Sequence, residues 1–167
     1  MAKDVLVATT YTAQIKGIFS IIGLGPSLIS YTRLNTSANA SKIDSFYSSN
    51  LTTTSPLFCD KGTCPKSTYF YQSIQLNVST TGSYTILSSS SINTYGYIYN
   101  STFNSSSPTF NKFASDDDSG GSSQFMFTVT LQGMWKYILV VTTSGINVTG
   151  SFSLVTSGPG PVSYIIQ

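Results

Sequence analysis

The chain has 167 residues, of which only 8% are charged, and eight Lys and Arg residues against six acidic ones give a net charge of +2. The basic residues are well separated, so the basic patch of a nucleic-acid-binding surface is missing and we expect no nucleic-acid partner. Serine (30 residues) and threonine (22 residues) make up nearly a third of the chain, a composition that favours strands and turns over helices.

The first part of the chain resembles its last part. With an offset of 133 residues and no gap, 13 residues of 1–34 are identical to those of 134–167, so that "MAKDVLVATT" lies over "MWKYILVVTT". This likeness predicts an internal repeat. Residues 1–33 are then the C-terminal hairpin of a preceding repeat, or a donor segment that adds strands to a neighbour's sheet edge, and one whole period follows.

Neither a secretory leader nor a membrane span is expected in this sequence. Asp4 interrupts the charged opening, and no apolar run of suitable length follows it in the first ten residues. The most apolar segment, 18–30, is too short to cross a bilayer and contains Gly25 and Pro26. We expect a strand and a turn in this segment.

Residues 34–58 are polar and rich in Ser and Thr, a composition typical of a linker. Cys59 and Cys64 follow, separated by four residues that include Lys and Gly and therefore favour a turn. A zinc site would need further Cys or His ligands, and the chain has no His. We therefore predict a local disulfide, which forms in an oxidising, extracellular compartment.

Seven of the nine asparagines begin an Asn-X-Ser/Thr sequon, which is more than chance predicts. They are Asn35, Asn39, Asn50, Asn77, Asn100, Asn104 and Asn147. The excess predicts a secreted or cell-surface protein with N-linked glycans, which would also hydrate its charge-poor surface. The alternative is that a Ser/Thr-rich chain forms sequons by accident. Asn77 alternates with the apolar Leu76 and Val78, which places it on the solvent face of a strand.

From Cys59 onward, short strand patterns alternate with turn signals. In 123–132, one set of alternate residues is apolar, which predicts a half-buried antiparallel strand. The predicted buried residues are Phe125, Phe127, Val129 and Leu131, and the predicted exposed ones are Gln124, Met126, Thr128 and Thr130. Residues 135–143 are apolar on both faces, which predicts a central strand. Further strands are predicted near 67–79, 82–88, 93–100 and 150–157, enough for an all-β, antiparallel β-sandwich over 59–167.

Residues 93–157 contain, in order, "NTYGYIYN", "KFASDDDSGGSSQFMFTVTL", "YILVVTT" and "GSFSLV". This order resembles the bacterial pre-peptidase C-terminal module and, more closely, tandem modules of uncharacterised invertebrate surface proteins with Ser/Thr-rich linkers. The resemblance implies a jelly-roll-like β-sandwich that is an accessory domain rather than a catalyst. Some relatives bind calcium, collagen or polysaccharide. Asn93 stands where the pattern usually has Asp, which argues against a metal ligand at that position.

Half of the acidic residues stand together as Asp116, Asp117 and Asp118, before Gly120 and Gly121. Calcium takes about six to eight oxygen ligands, and clustered aspartates in a glycine-rich loop are candidates for several of them. Three adjacent residues point at one ion only if the loop wraps around it. We favour the other interpretation, a hairpin loop in which Asp and Ser side chains accept backbone hydrogen bonds and a glycine takes a positive φ.

No catalytic residues are predicted, because acid–base and triad chemistry usually draw on His or Glu and the chain has neither. We therefore predict that the protein is not an enzyme. The tyrosines of 69–71 and 95–99 are candidates for an aromatic platform for sugars, but in alternating strands such residues are more often core or cross-strand pairs. Trp135 is replaced by Ala2 in the first copy, so a function shared by the copies does not require it.

Two functions remain open. The first is a structural subunit of an extracellular, N-glycosylated filament or surface stalk built from repeated β-sandwiches, with copies of the chain as partners, joined by tandem linkage or by strand addition. The second is an adhesion module that binds polysaccharide or collagen, with calcium as a candidate cofactor. We favour the first because of the repeat, the sequons and the missing catalytic residues.

Overall fold

The computed structural model describes residues 42–59 and 69–167, and these residues form eleven β-strands and no helix. The strands are β1 (Ile43–Leu51), β2 (Leu57–Phe58), β3 (Tyr69–Phe70), β4 (Gln72–Val78), β5 (Gly82–Ser90), β6 (Thr94–Asn100), β7 (Lys112–Asp116), β8 (Met126–Leu131), β9 (Lys136–Thr143), β10 (Gly150–Gly158) and β11 (Val162–Ile166). A helix long and apolar enough to cross a membrane is therefore not found in this part of the chain.

The strands build two antiparallel sheets that pack face to face. One sheet has four strands in the order β1-β10-β5-β8, and the other has five in the order β11-β4-β9-β6-β7. β2 and β3 form a separate two-stranded sheet. The predicted all-β, antiparallel β-sandwich is therefore confirmed, whereas its place in a tandem array stays a prediction.

The core between the sheets forms because alternate side chains of each strand point inward. In β4, Ile74, Leu76 and Val78 are buried, and Asn77 between them faces outward as predicted. Burying each large apolar side chain contributes about 1.5–3 kcal/mol to stability. The largest fully buried side chains of this core are Tyr84, Phe125, Leu51, Ile74, Leu76, Ile86, Ile98, Leu131, Leu139 and Leu154.

β9 is the middle strand of the five-stranded sheet, as predicted, and all of its residues except Lys136 are buried. Its inward residues belong to the core between the sheets, whereas Ile138 and Val140 belong to a second apolar cluster on the outer face of this sheet. Phe58 of β2 is part of that outer cluster and is 1% exposed. β9 is therefore covered on both faces, which explains why it is apolar on both.

The interpretation of 34–58 as a linker needs correction, because Ile43–Leu51 form β1, which pairs along its whole length with β10. Ser45 and Ser49 occupy inward positions of β1. Because these residues are small and polar, the sequence of β1 does not show the alternation of apolar and polar residues that is typical of a half-buried strand. The ring of Tyr47 between them packs on the core, and the strand is stabilised by its pairing with β10. The polarity of β1 is thus that of an edge strand.

The sandwich also begins earlier than the predicted module of 59–167, since the described residues all belong to one compact unit, Ala38–Gln167. The strands predicted from 67–79 to 150–157 are present, with the first divided into β3 and β4. β7 and β11, which no pattern predicted, are the two edge strands of the five-stranded sheet. The hairpin predicted in 1–33 lies outside the described residues.

Candidate functional site

The acidic loop begins at Asp116, the last residue of β7. The Asp116 carboxylate accepts hydrogen bonds from the Ser119 N–H at 3.1 Å, from the Ser119 hydroxyl at 2.6 Å and from the Met126 N–H at 2.8 Å. Burial acts to raise the pKa of Asp116, but the hydrogen bonds outweigh burial and hold this pKa below its ordinary value. The ionised carboxylate therefore closes the loop between β7 and β8.

The other two aspartates of the loop point elsewhere. Asp117 Oδ2 accepts a hydrogen bond from the Ser144 hydroxyl at 3.1 Å, which ties the loop to the end of β9. Asp118 is exposed, and its backbone carbonyl accepts a hydrogen bond from the Gly121 N–H at 2.9 Å. Gly121 has a φ of 76°. The hydrogen bonds of Asp116 and the positive φ of Gly121 are those we favoured, but the hairpin itself was wrong. β7 belongs to the five-stranded sheet and β8 to the four-stranded sheet, so the loop connects the two sheets.

Calcium binding by Asp116, Asp117 and Asp118 stays a prediction. Across residues 42–59 and 69–167, no three His, Cys, Asp or Glu side chains are grouped so that they could hold a metal ion. A calcium site at this loop would therefore require the loop to rearrange, because two of its carboxylates bind protein groups in different directions.

Gln124 organises the end of this loop, although the strand pattern predicts it to be exposed. Its side chain is 6% exposed, because β8 begins only at Met126 and the alternation of the strand does not extend to Gln124. Oε1 of Gln124 accepts hydrogen bonds from the hydroxyls of Thr94 at 3.2 Å and Ser88 at 3.3 Å. Its Nε2 donates to the backbone carbonyls of Ile92, Ser122 and Ser123. A single glutamine in a polar loop carries no sequence signal for this role.

The backbone that Gln124 holds is strained. Ser122 and Ser123 have φ values of 51° and 60°, in the left-handed region that residues other than glycine rarely adopt. The hydrogen bonds of the buried Gln124 side chain hold these two residues in place. The side chain of Gln124 therefore stabilises the backbone conformation of this part of the loop.

Five of the seven sequon asparagines lie in the described residues, whereas Asn35 and Asn39 lie outside them. Four of the five are exposed, namely Asn50 at the end of β1, Asn100 at the end of β6, and the loop residues Asn104 and Asn147. The fifth, Asn77, is half-buried in β4, where its Oδ1 accepts a hydrogen bond from Gln75 Nε2 at 2.6 Å and its Nδ2 donates to the Ser163 hydroxyl at 3.3 Å. Most of the predicted attachment sites that can be located are thus open to solvent.

Cys59 follows β2 directly, and Cys64 lies outside the described residues, so the disulfide between them stays a prediction. The residue before Cys59 is firmly anchored. The ring of Phe58 packs edge-on against the rings of Tyr71, Tyr97 and Phe103, with centroid distances of 5.2, 5.7 and 5.7 Å. The chain therefore leaves the outer face of the five-stranded sheet from a fixed position.

The tyrosines of β6 lie on that same outer face. Tyr97 and Tyr99 are buried, and Tyr95 stacks on Tyr97 with ring centroids 4.7 Å apart. The interpretation of Tyr97 and Tyr99 as packed residues is confirmed, because buried rings do not form an open platform for sugars. A cleft beside Tyr95 and Ser144 has a volume of only about 10 Å³, which is the space of about one water molecule.

The outer face of the four-stranded sheet carries a row of serines. The strand register aligns Ser48 of β1 with Ser153 of β10, and Ser153 with Ser89 of β5. These serines line an open depression of about 510 Å³, in which seven of the nine lining residues are serines and another is Asn50. No lining residue is charged. The depression therefore offers hydroxyl groups and a sequon amide.

An apolar row crosses the same face beside the serines. The register aligns Phe46 with Val155, Val155 with Leu87, and Leu87 with Met126, one residue from each strand. Phe46 stands at the sheet edge and is 71% exposed, whereas the other three are half-buried. A large exposed aromatic side chain thus lies near a polar depression.

The comparisons with known proteins give no functional relative. No protein-family model matches the chain, and no curated protein matches it. The functional interpretation therefore rests on the residues themselves, on the sequence repeat and on the direction in which the chain crosses the sandwich.

Proposed function

We propose that the protein is a non-catalytic structural subunit of an extracellular, N-glycosylated filament or surface stalk built from repeated β-sandwiches. The observation that carries the proposal is the combination of the internal repeat with the positions at which the chain enters and leaves the sandwich. A repeated module lengthens a stalk efficiently if its two chain ends lie at opposite ends of its strands.

The chain enters at one end of the strands. Ile43, the first residue of β1, pairs with Gly158 at the end of β10. β11 begins at this same end, where the N–H of Val162 donates to the Ser45 hydroxyl at 2.9 Å. The two strands therefore start side by side on facing sheets.

β11 ends at the other end of the strands. β11 runs antiparallel to β4 from Val162, which pairs with Val78, to Ile166, which pairs with Ile74. The N–H of Gln167 then donates to the carbonyl of Ser73, next to the start of β4, at 3.0 Å. Entry and exit are thus separated by the length of the strands, so a following module would begin beyond the far end of this one.

The spacing of the repeat supports a short connection between modules. By the offset of 133, Arg33 corresponds to Ile166, and nine residues, 34–42, stand between Arg33 and β1. Nine extended residues span about 30 Å at most. Asn35 and Asn39 both fall in this connection, so the proposed linker is itself a site for glycans.

The exposed sequon asparagines support the glycoprotein part of the proposal. Asn50 and Asn147 lie at the exit end of the strands, and Asn100 lies at the entry end, where it pairs with Tyr137. Glycans on these residues would cover both ends of a module. They would also supply the hydration that a chain with 8% charged residues lacks.

Electron microscopy of the native material tests the proposal. We expect fibres or rods of globules repeated at a constant spacing, and glycopeptide mass spectrometry of the same material should find sugar on Asn50, Asn100 and Asn104. A dispersed, single-module protein retained on a polysaccharide or collagen column would instead establish the adhesion function. Calcium-dependent melting of such a protein would add calcium to that alternative.

A further inference from the structure

We propose that the N-linked glycan of Asn50 lies back across the outer face of the four-stranded sheet, where its core sugars cover the serine-lined depression and the ring of Phe46. The inference rests on the glycoprotein character proposed above and assigns one of its glycans a defined place on the protein. This glycan would be part of the folded surface rather than a free chain.

The strand geometry directs Asn50 toward this surface. Phe46, Ser48 and Asn50 alternate with the inward residues of β1, so all three point outward on one face. From Asn50 to Phe46 the strand rises about 13 Å, and Ser48 lies halfway between them. The core saccharide of an N-linked glycan is long enough to cross this distance.

A hydrogen bond orients the Asn50 side chain. The Ser151 hydroxyl donates to Asn50 Oδ1 at 2.6 Å, and the two residues are partners in the register of β1 and β10. Because Oδ1 is held toward β10, the planar amide has one preferred orientation, in which Nδ2, the atom to which the glycan is joined, points away from β10. The glycan therefore reaches the depression by turning back over the sheet face. The first sugar is therefore attached to a positioned amide at the rim of the depression.

The surface also has the chemistry of a neutral sugar. Sugar rings present hydroxyl groups at their edges and C–H groups on their faces. The depression presents hydroxyl groups and no charge, and it is open to solvent. The ring of Phe46 is an apolar surface exposed to water, so the C–H face of a sugar that packs on it gains the free energy of removing that surface from water. A glycan that crosses from Asn50 over Ser48 meets these two surfaces in the matching order.

A double-mutant cycle between the glycan and Phe46 tests the inference. The full chain is produced in a glycosylating eukaryotic host and in bacteria as wild type, Asn50→Gln, Phe46→Ala and the double variant. In the bacterial proteins, which carry no glycan, Asn50→Gln changes the melting temperature only through the loss of the Ser151–Asn50 hydrogen bond. This change is subtracted from the one measured in the glycosylated proteins. Phe46→Ala is expected to fold, because this side chain is 71% exposed.

In the glycosylated proteins, we expect Asn50→Gln to lower the melting temperature by about 3 °C beyond its effect in bacterial protein. In the Phe46→Ala background, this extra loss should fall to less than half. Asn147, whose glycan would grow from the exposed loop between β9 and β10, gives the matched control. Removing its sequon by Asn147→Gln should cost the same with or without Phe46.

An extra loss from Asn50→Gln that is unchanged in the Phe46→Ala background would overturn the inference. Glycopeptide mass spectrometry of the same samples separates this failure from that of the proposed function. If Asn50 carries a glycan and the coupling is absent, only the inference is wrong and the glycan coat stands. If all sequons are bare in native material and in the eukaryotic host, both proposals fail.

Discussion

Gly158, the last residue of β10, lies so close to the ring of Tyr84 in β5 that a Cβ atom at Gly158 would overlap the ring carbons. Tyr84 is fully buried, and its hydroxyl donates to the Thr80 carbonyl at 2.8 Å, so the ring is held at both ends. The first copy of the repeat has Gly25 at the matching position. The contact with Tyr84 is a physical reason for a glycine here.

Gly158→Ala should therefore destabilise the sandwich by about 1–3 kcal/mol, because the added methyl group overpacks a filled core. Urea denaturation measures the change. Tyr84→Leu provides the control, since its smaller side chain leaves space for the methyl group. A cost of Gly158→Ala that is equally large in the Tyr84→Leu background would show that the ring is not the cause.

Gln124→Ala should cost about 2 kcal/mol, because it removes the hydrogen bonds that the buried Gln124 side chain makes with the hydroxyls of Ser88 and Thr94 and with three loop carbonyls. Thermal unfolding measures this loss. The matched control is Gln132→Ala, since Gln132 is exposed and its side chain accepts a long hydrogen bond of 3.4 Å from the Thr81 hydroxyl. Equal stabilities of the two variants would contradict the role of Gln124 as a clamp of the loop.

Acidification should destabilise the acidic loop, because protonation of Asp116 weakens the hydrogen bonds that its carboxylate accepts. The pKa of Asp116 in the folded protein lies below its ordinary value of 3.8, so its contribution to stability is present above that value and is lost as the pH falls through the lower, folded pKa. Asp116→Asn keeps an acceptor oxygen but cannot ionise, so its melting temperature should fall less between pH 5 and about pH 2 than that of the wild type. Ser119→Ala, which removes one hydrogen bond to the carboxylate, should give an intermediate slope. Parallel pH profiles of all three proteins would rule out the linkage.

Phe58→Ala should cost about 3–5 kcal/mol, as expected for a large side chain removed from a buried aromatic cluster. The same truncation at Phe110, which is 63% exposed, should change the free energy of unfolding by less than about 0.5 kcal/mol. Denaturant unfolding of both variants checks the difference. If Phe58→Ala were as mild as Phe110→Ala, the outer face of the five-stranded sheet would not be a second core.

The strand patterns predict the sandwich well where one face of a strand is buried. β4 and the later part of β8 follow the predicted alternation. The apolar residues on both faces of β9 correctly predict its central place in a sheet. β1 escapes prediction because Ser45 and Ser49 occupy inward positions, so its place depends on pairing with β10, a strand about a hundred residues away along the chain. A pattern of neighbouring residues gives no information about a partner strand so far away in the sequence.

Candidate site residues are likewise predictable where they form a local motif and unpredictable where they depend on contacts between distant strands. The sequon asparagines are recognised from three adjacent residues, and the turn character of the acidic loop follows from its Asp, Ser and Gly residues. That this loop joins the two sheets and is not a hairpin depends on the strand pairing. The burial of Gln124 cannot be predicted, because it depends on Ser88 and Thr94 from two other strands. The alignment of Asn50, Ser48 and Phe46 with the serines and apolar residues of β10 and β5 likewise exists only after the strands have paired.

By itself, the sequence determined the all-β class, the strands with a visible apolar alternation, the internal repeat and the positions of the sequons, because alternation, turn residues and short motifs are properties of neighbouring residues. Only the tertiary structure decided which face of each strand meets another surface. Tyr97 and Tyr99 of β6 are buried because Phe58 and Phe103 pack onto their face of the sheet. Phe46, an equally apolar residue, is left exposed because no described residue covers the outer face of β1 at that point. Burial is a relation between distant segments, so it follows from packing and not from composition.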